Sequence, residues 1–92
     1  MQDMNMNADI RRIRQMERHF DVLCAAVKSG KMGREAQAAA RALEDYYTGG
    51  QWLCDYERDE SGEWPTDLKR GVLSEDGLYD LLAQTDTMMN GE

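Results

Sequence analysis

The fold of this 92-residue chain is decided by two stretches of helical periodicity within residues 8–47, ADIRRIRQMERHFDVLCAAVKSGKMGREAQAAARALEDYY. In the first stretch, apolar side chains recur in steps of three and four residues, which places them in one stripe along a helix. These positions are Ile13, Met16, Phe20, Leu23 and Val27. The spacing predicts a helix over about 8–28, with Asn7 as its N-cap and Gly30 just beyond its end.

The second stretch repeats this spacing over about 34–47, around an alanine-rich centre that favours a helix. Its stripe consists of Ala36, Ala40, Leu43 and Tyr47. Because only a few residues separate the two stretches, we expect an antiparallel helical hairpin with Phe20 and Leu23 facing Ala40 and Leu43.

For residues 48–92 the sequence predicts shorter helices and an irregular segment. Trp52, Leu53 and Tyr56 fit a short helix near 51–60, although Trp52, Cys54 and Tyr56 would also fit a strand. An irregular bend at 61–73 follows around Pro65, since the residue before a proline is pushed out of the helical region. Ser74 is the predicted N-cap of a last helix at about 75–89. The prediction is a single all-α domain over residues 1–92.

Charge is divided unevenly along the chain. The 11 Lys and Arg against 18 Asp and Glu give a net charge of -7. Residues 1–31 hold six basic and four acidic side chains, and residues 32–92 hold five and fourteen. This balance argues against direct binding of nucleic acid and favours a protein partner with a basic surface. The arginines at 11, 12, 14 and 18 are predicted to face solvent.

Location and oligomeric state are less constrained by the sequence. No apolar run approaches the ~20 residues of a membrane span, no secretory signal is evident, and two cysteines are too few for a disulfide framework. We therefore expect a cytoplasmic protein without membrane contact, either a monomer or a homodimer.

The densest acidic run lies at residues 55–63. Its alternating acids suggest a calcium loop, but the required glycine and the closing glutamate are replaced by Glu60 and Thr66. Two readings remain. The carboxylates are solvated or pair with Lys69 and Arg70 across the bend, or they form an acidic surface for a basic partner.

Catalytic candidates are few. His19 is the only histidine, Cys24 is predicted to be a small packed hydrophobe, and Gly49-Gly50 lacks the following Lys and Ser or Thr of a phosphate loop. Asp55 and Asp59 lie four residues apart on one helical face and could serve acid–base chemistry. The same spacing is commoner for surface charge, so no catalytic residue, cofactor or metal is predicted.

Six of the seven aromatic residues lie between residues 46 and 79. They are Tyr46, Tyr47, Trp52, Tyr56, Trp64 and Tyr79. A domain of this size needs large side chains to fill its core, so core packing is the first interpretation of these residues. An interface anchor is the second, because Trp and Tyr also dominate binding surfaces.

Residues 46–82 resemble a small bacterial family of unknown function whose members follow the pattern YY..(S/G)..W..DYE.DE.G..P.DLKRGVLSED..YDLL. The run LKRGVLSED at residues 68–76 is the most specific part of the match. The resemblance implies a helical fold and no established activity. The positions that carry over are Trp52, Asp55, Tyr56, Asp59, Pro65, Lys69, Arg70, Gly71, Ser74 and Asp76.

Two roles are open for this block. A polar network of Asp55, Asp59, Lys69 and Arg70 would fix the irregular half against the hairpin. A recognition surface would make the protein a non-enzymatic acidic binding module, with inhibition of a basic bacterial protein as the specific version. The alternatives are a phage-type antagonist that mimics nucleic acid and inhibits a nuclease, in the manner of an anti-CRISPR, and a small enzyme using Asp55 and Asp59. The predicted partner-binding or network residues are Trp52, Asp55, Tyr56, Glu57, Asp59, Glu60, Lys69 and Arg70.

Overall fold

The protein is built from four α-helices and one 3₁₀ turn. The computed structural model describes the backbone of residues 2–89 and the side chains of 7–74 and 76–89. The elements are α1 at Gln2–Ser29, α2 at Arg34–Thr48, α3 at Gln51–Glu60, the 3₁₀ turn at Gly71–Leu73 and α4 at Glu75–Met89. Residues 2–89 contain no strand, which confirms the all-α prediction and excludes the strand alternative for residues 52–56.

α1 and α2 form the predicted hairpin. Gly30 adopts a positive φ of 78°, a conformation that glycine enters cheaply, and its N–H donates to the Ala26 carbonyl at 2.9 Å to close α1. Leu23, Ala40 and Leu43 are buried between the helices, as expected. The predicted start of α1 is wrong, because the helix begins at Gln2 and Asn7 lies inside it. Neither glycine nor proline occurs in residues 2–7, so nothing there interrupts the helix.

The chain turns twice between α2 and the 3₁₀ turn. Gly50 precedes α3 with a φ of 93°, which an L side chain rarely adopts. After α3, residues 61–70 form no regular element but place Trp64 and Leu68 in the core. The predicted bend at 61–73 is therefore confirmed for its first ten residues, and its last three residues form the 3₁₀ turn.

α4 packs against α1 and the 3₁₀ turn. Its start is capped as predicted, since the Gly77 N–H donates to Ser74 Oγ at 3.3 Å. The Phe20 ring lies near Gly71 and Gly77, a contact at the start of α4 that the hairpin prediction did not include. Leu78 and Val72 are completely buried there.

One hydrophobic core connects all these elements. It includes Ile13 and Leu23 of α1, Leu43 of α2 and Trp52 of α3. Within the described part of the chain, no helix combines the length and apolar character needed to cross a membrane.

Candidate functional site

The eight residues predicted as a site differ in accessibility. Trp52 and Asp55 are buried, with 6% and 0% of their surfaces exposed. The half-buried members are Tyr56, Asp59 and Arg70, and the exposed members are Glu57, Glu60 and Lys69. A partner can therefore reach only part of this set, and the buried members have internal roles.

Asp55 is buried at the centre of a polar cluster. Arg12 donates to both carboxylate oxygens, from Nε to Oδ2 at 3.0 Å and from Nη2 to Oδ1 at 2.7 Å. Tyr46 Oη donates to Oδ2 at 2.6 Å, and Gln51 Nε2 donates to Oδ1 at 3.3 Å. A forked arginine and a hydroxyl are strong donors for a carboxylate away from water. We call Arg12, Tyr46, Gln51 and Asp55 the Asp55 cluster.

This cluster corrects two predictions. Asp55 pairs with neither Lys69 nor Arg70, and Arg12 is not a solvent-facing arginine. The physical reason is that a carboxylate with no exposed surface needs a cation on an adjacent element, and α1 supplies Arg12 from 43 positions away in the sequence.

The protonation states of the cluster follow from its geometry. Its hydrogen bond to Asp55 raises the pKa of the Arg12 guanidinium. Burial, followed by the hydrogen bond to Asp55, raises the pKa of the Tyr46 phenol, so Tyr46 remains a donor. Both oxygens of Asp55 are occupied and away from solvent, which leaves no accessible Asp55–Asp59 pair for acid–base chemistry.

A row of ion pairs continues from Arg12 toward the bend. Arg12 Nη1 lies 3.0 Å from Asp9 Oδ1, and Arg58 Nη1 lies 2.8 Å from Asp9 Oδ2. Arg58 also pairs with Glu63 at 3.1 Å, and its guanidinium lies 4.3 Å from the ring centroid of Trp64. The hydrogen bond from Arg58 is the main cause that lowers the pKa of Asp9.

Of the two cations predicted to pair with the acidic run, one does so. Arg70 Nη1 lies 3.1 Å from Asp59 Oδ1, which confirms that pairing across the bend. For Lys69 the prediction is wrong, because its Nζ donates to Asp21 of α1 at 2.9 Å and lies 3.9 Å from Glu17. Its hydrogen bond to Asp21 raises the pKa of Lys69.

Glu17 is a structural residue that the sequence reasoning missed. It is 5% exposed, and its Oε1 accepts the Val72 N–H at 2.9 Å. This bond holds the 3₁₀ turn against α1. The sequence pattern indicates the burial of Glu17, because this residue lies four positions after Ile13 and three before Phe20, on the apolar stripe of α1.

The aromatic residues mostly pack in the core, as first interpreted. Trp52 Nε1 donates to the Val72 carbonyl at 2.9 Å, and Trp64 Nε1 donates to the Asp55 carbonyl at 3.0 Å. The Trp52 ring stacks on Tyr56 with centroids 5.0 Å apart. Tyr79 is the exception, with 59% of its surface exposed.

Two exposed residues of the predicted site, Glu57 and Glu60, lie on one face of α3 with Leu53, which was not predicted as a site residue. Leu53, Glu57 and Glu60 follow one another in steps of four and three residues, and all three are exposed. Leu53 has 50% of its surface exposed. Glu57 and Glu60 form no ion pair within the described residues, whereas Asp55, Asp59 and Glu63 each pair with an arginine. We call Leu53, Glu57 and Glu60 the α3 stripe.

The geometry of the described residues does not support a reactive cysteine or a metal site. Cys24 is exposed rather than packed as predicted, and partial burial, with Asp21 and Glu17 nearby, raises the pKa of its thiol. In the described ranges, no group of three or more His, Cys, Asp or Glu is placed to hold a metal ion.

Comparison with protein families agrees with the resemblance seen in residues 46–82. A model of a domain of unknown function (DUF4298) matches residues 13–91. The chain belongs to this family. The match covers α1 from Ile13 onward as well as the block from Trp52 to Leu82. The contacts of Glu17 with Val72 and of Asp21 with Lys69 therefore lie within the matched residues, whereas Asp9 and Arg12 lie just before them. Comparisons with curated proteins and with solved structures give no match.

Proposed function

We propose that this DUF4298 protein is a non-enzymatic binding module that contacts a protein with a basic surface through the α3 stripe. The observation that carries the proposal is the unequal pairing within the acidic run. Three of its carboxylates are compensated by arginines of the chain itself, while Glu57 and Glu60 are exposed and pair with no cation among the described side chains.

Leu53 adds an apolar group to these charges. An exposed leucine beside two carboxylates offers a small apolar contact inside a charged rim, an arrangement that protein interfaces share. The Asp55 cluster fixes the position of the helix that carries this surface, because its hydrogen bonds join α3 to α1 and α2.

Inhibition of the partner is the specific form of the proposal. If the α3 stripe covers basic residues that the partner uses to bind its own substrate, occupancy of the stripe lowers the partner's activity. A nucleic-acid mimic would use a longer row of uncompensated carboxylates, and internal pairing of Asp55, Asp59 and Glu63 shortens that row within residues 55–63. The geometry therefore favours a local protein contact over extended mimicry.

The test compares three forms of the full chain as baits in a lysate of the source cell: wild type, Glu57→Gln/Glu60→Gln, and the control Glu44→Gln/Asp45→Asn. The control removes two exposed carboxylates from α2 and leaves the α3 stripe intact. A captured protein is then purified and titrated against each form at two salt concentrations.

We expect the wild type and the control to bind alike, and the α3 variant to bind roughly 3- to 30-fold more weakly at low salt. Leu53→Ala should weaken binding by about tenfold, as truncation of an apolar anchor does. Affinity that is independent of salt and equal for all forms would contradict the proposal. Loss of the partner's activity on addition of wild type, but not of the α3 variant, would support inhibition.

A further inference from the structure

A second surface of the protein carries the opposite charge. α1 has four arginines within residues 11–18, and only Arg12 turns inward to Asp9 and Asp55. Arg11, Arg14 and Arg18 are exposed and form no ion pair within the described residues. Steps of three and four residues align them over about 10 Å of the helix. We call these three residues the arginine stripe.

The arginine stripe is unexpected in a chain with 18 acidic and 11 basic residues. Lys69 lies in the same groove as Arg14 and Arg18, but its ammonium group already donates to Asp21. The three guanidinium groups of the stripe have no ion-pair partner among the described side chains, and they fit an acidic ligand.

The groove next to the stripe indicates which kind of acidic ligand fits. Its lining consists of Arg14, Arg18, Glu17, Asp21, Asp67, Leu68 and Lys69. The three acidic residues of the groove would repel a continuous row of phosphates, whereas a protein helix can place its acids opposite the arginines alone. The surroundings of the stripe thus favour a protein segment over a nucleic-acid backbone.

The outward face of α4 has the matching pattern. Asp76 and Asp80 are exposed, form no ion pair within the described residues, and lie four residues apart, as Arg14 and Arg18 do. Each pair therefore spans about 6 Å along its helix. Tyr79 lies beside these acids with 59% of its surface exposed, and its ring can receive a guanidinium group.

We propose that a second copy of this chain binds to the arginine stripe through Asp76, Tyr79 and Asp80 of its α4. Copies with a net charge of -7 repel at long range, but salt near 0.1 M screens charges more than about 10 Å apart while direct contacts persist. The contact uses none of the α3 stripe, so it stands or falls independently of the proposed function.

The test measures the average mass of the full chain by sedimentation equilibrium over rising concentration. At about 0.1 M salt the mass should climb from 10.5 kDa toward twice that value, and at about 0.5 M it should remain near that of the monomer. Arg14→Glu/Arg18→Glu and Asp76→Lys/Asp80→Lys should each stay monomeric. The control Arg34→Glu/Arg41→Glu makes the same charge change on α2, and Glu57→Gln/Glu60→Gln alters only the α3 stripe; both should self-associate like wild type.

Mixing the two stripe variants gives the decisive measurement. An equimolar mixture of Arg14→Glu/Arg18→Glu with Asp76→Lys/Asp80→Lys recreates opposite charges across the contact, so association should return. A misfolded variant could not produce this recovery, and circular dichroism of each variant checks its helices. A wild type that stays monomeric, a mixture that does not recover, or an arginine stripe that binds a glutamate-rich peptide without self-association would overturn the proposal.

Discussion

The two halves of α1 are attached to the rest of the protein by different sets of contacts. Residues 9–17 contribute Ile13 to the core and also make buried or partly buried polar contacts: Asp9 binds Arg58, Arg12 binds Asp55, and Glu17 accepts the Val72 N–H. Over residues 20–27 the buried or partly buried side chains are apolar, and they belong to the shared core.

This difference separates what stabilises the fold from what aligns it. Apolar burial is non-directional and tolerates small shifts of one helix along another. The forked bond from Arg12 to Asp55 and the bond from Glu17 to Val72 fix individual atoms, so they set the positions of α3 and the 3₁₀ turn along α1. We therefore expect the polar half to be the more sensitive to single substitutions.

The largest effect is expected at Asp55. Asp55→Ala leaves Arg12 without its buried partner and the Tyr46 hydroxyl without an acceptor, which should lower the free energy of unfolding by about 3 to 5 kcal/mol. Urea denaturation measures this change, and Asp55→Asn serves as a milder variant if the alanine form does not fold. The matched control Asp59→Asn breaks a half-exposed pair with Arg70 and should cost about 0 to 1 kcal/mol. Equal costs at the two positions would contradict the internal role of Asp55.

The second prediction concerns Glu17 and the 3₁₀ turn. Glu17→Ala removes the acceptor of a buried N–H and should cost about 1 to 3 kcal/mol. Glu17→Gln keeps an oxygen that can accept this bond, so it should recover most of the loss. Amide hydrogen exchange provides a local readout, because the Val72 N–H should lose protection in the alanine variant and retain it in the glutamine variant. Unchanged protection of Val72 in both would show that Glu17 does not hold the turn.

The third prediction moves to the apolar side of α4. Thr85 is 3% exposed, and its hydroxyl is the one buried side-chain polar atom in the described residues without a hydrogen-bond partner. Thr85→Val keeps the shape and removes this hydroxyl, which should stabilise the protein by about 1 kcal/mol. The control Thr87→Val removes an exposed hydroxyl and should change stability by less than about 0.5 kcal/mol. Destabilisation by Thr85→Val would indicate that the hydroxyl has a role in the native state.

The same division explains what the sequence could predict. Apolar periodicity identified the hairpin and α4, because the steps of three and four residues are local, and Gly30 and Ser74 mark element ends by local chemistry. The α1 partners of Asp55 and Arg58 lie 43 and 49 residues away, so no local pattern identifies them. The sequence therefore predicted a solvent-facing Arg12 and a polar network of Asp55 with Lys69 and Arg70, although Arg12 and Asp55 pair with each other at the centre of the Asp55 cluster.

The smallest effect on the free energy of unfolding is expected at Asp9, and this effect depends on pH. Hydrogen bonds from Arg58 and Arg12 hold the pKa of Asp9 below its usual range in the folded protein. A carboxyl group with a lowered folded pKa stabilises the fold above its unfolded pKa of about 3.9, and the contribution disappears as pH falls through the folded value. The difference in unfolding free energy between wild type and Asp9→Asn should therefore be constant from neutral pH to about pH 5 and vanish at the acidic end. Paired urea titrations measure it, with exposed Asp86→Asn as the control that should show no such dependence. A difference that persists unchanged at the lowest pH would mean that the Asp9 charge does not link α1 to Arg58.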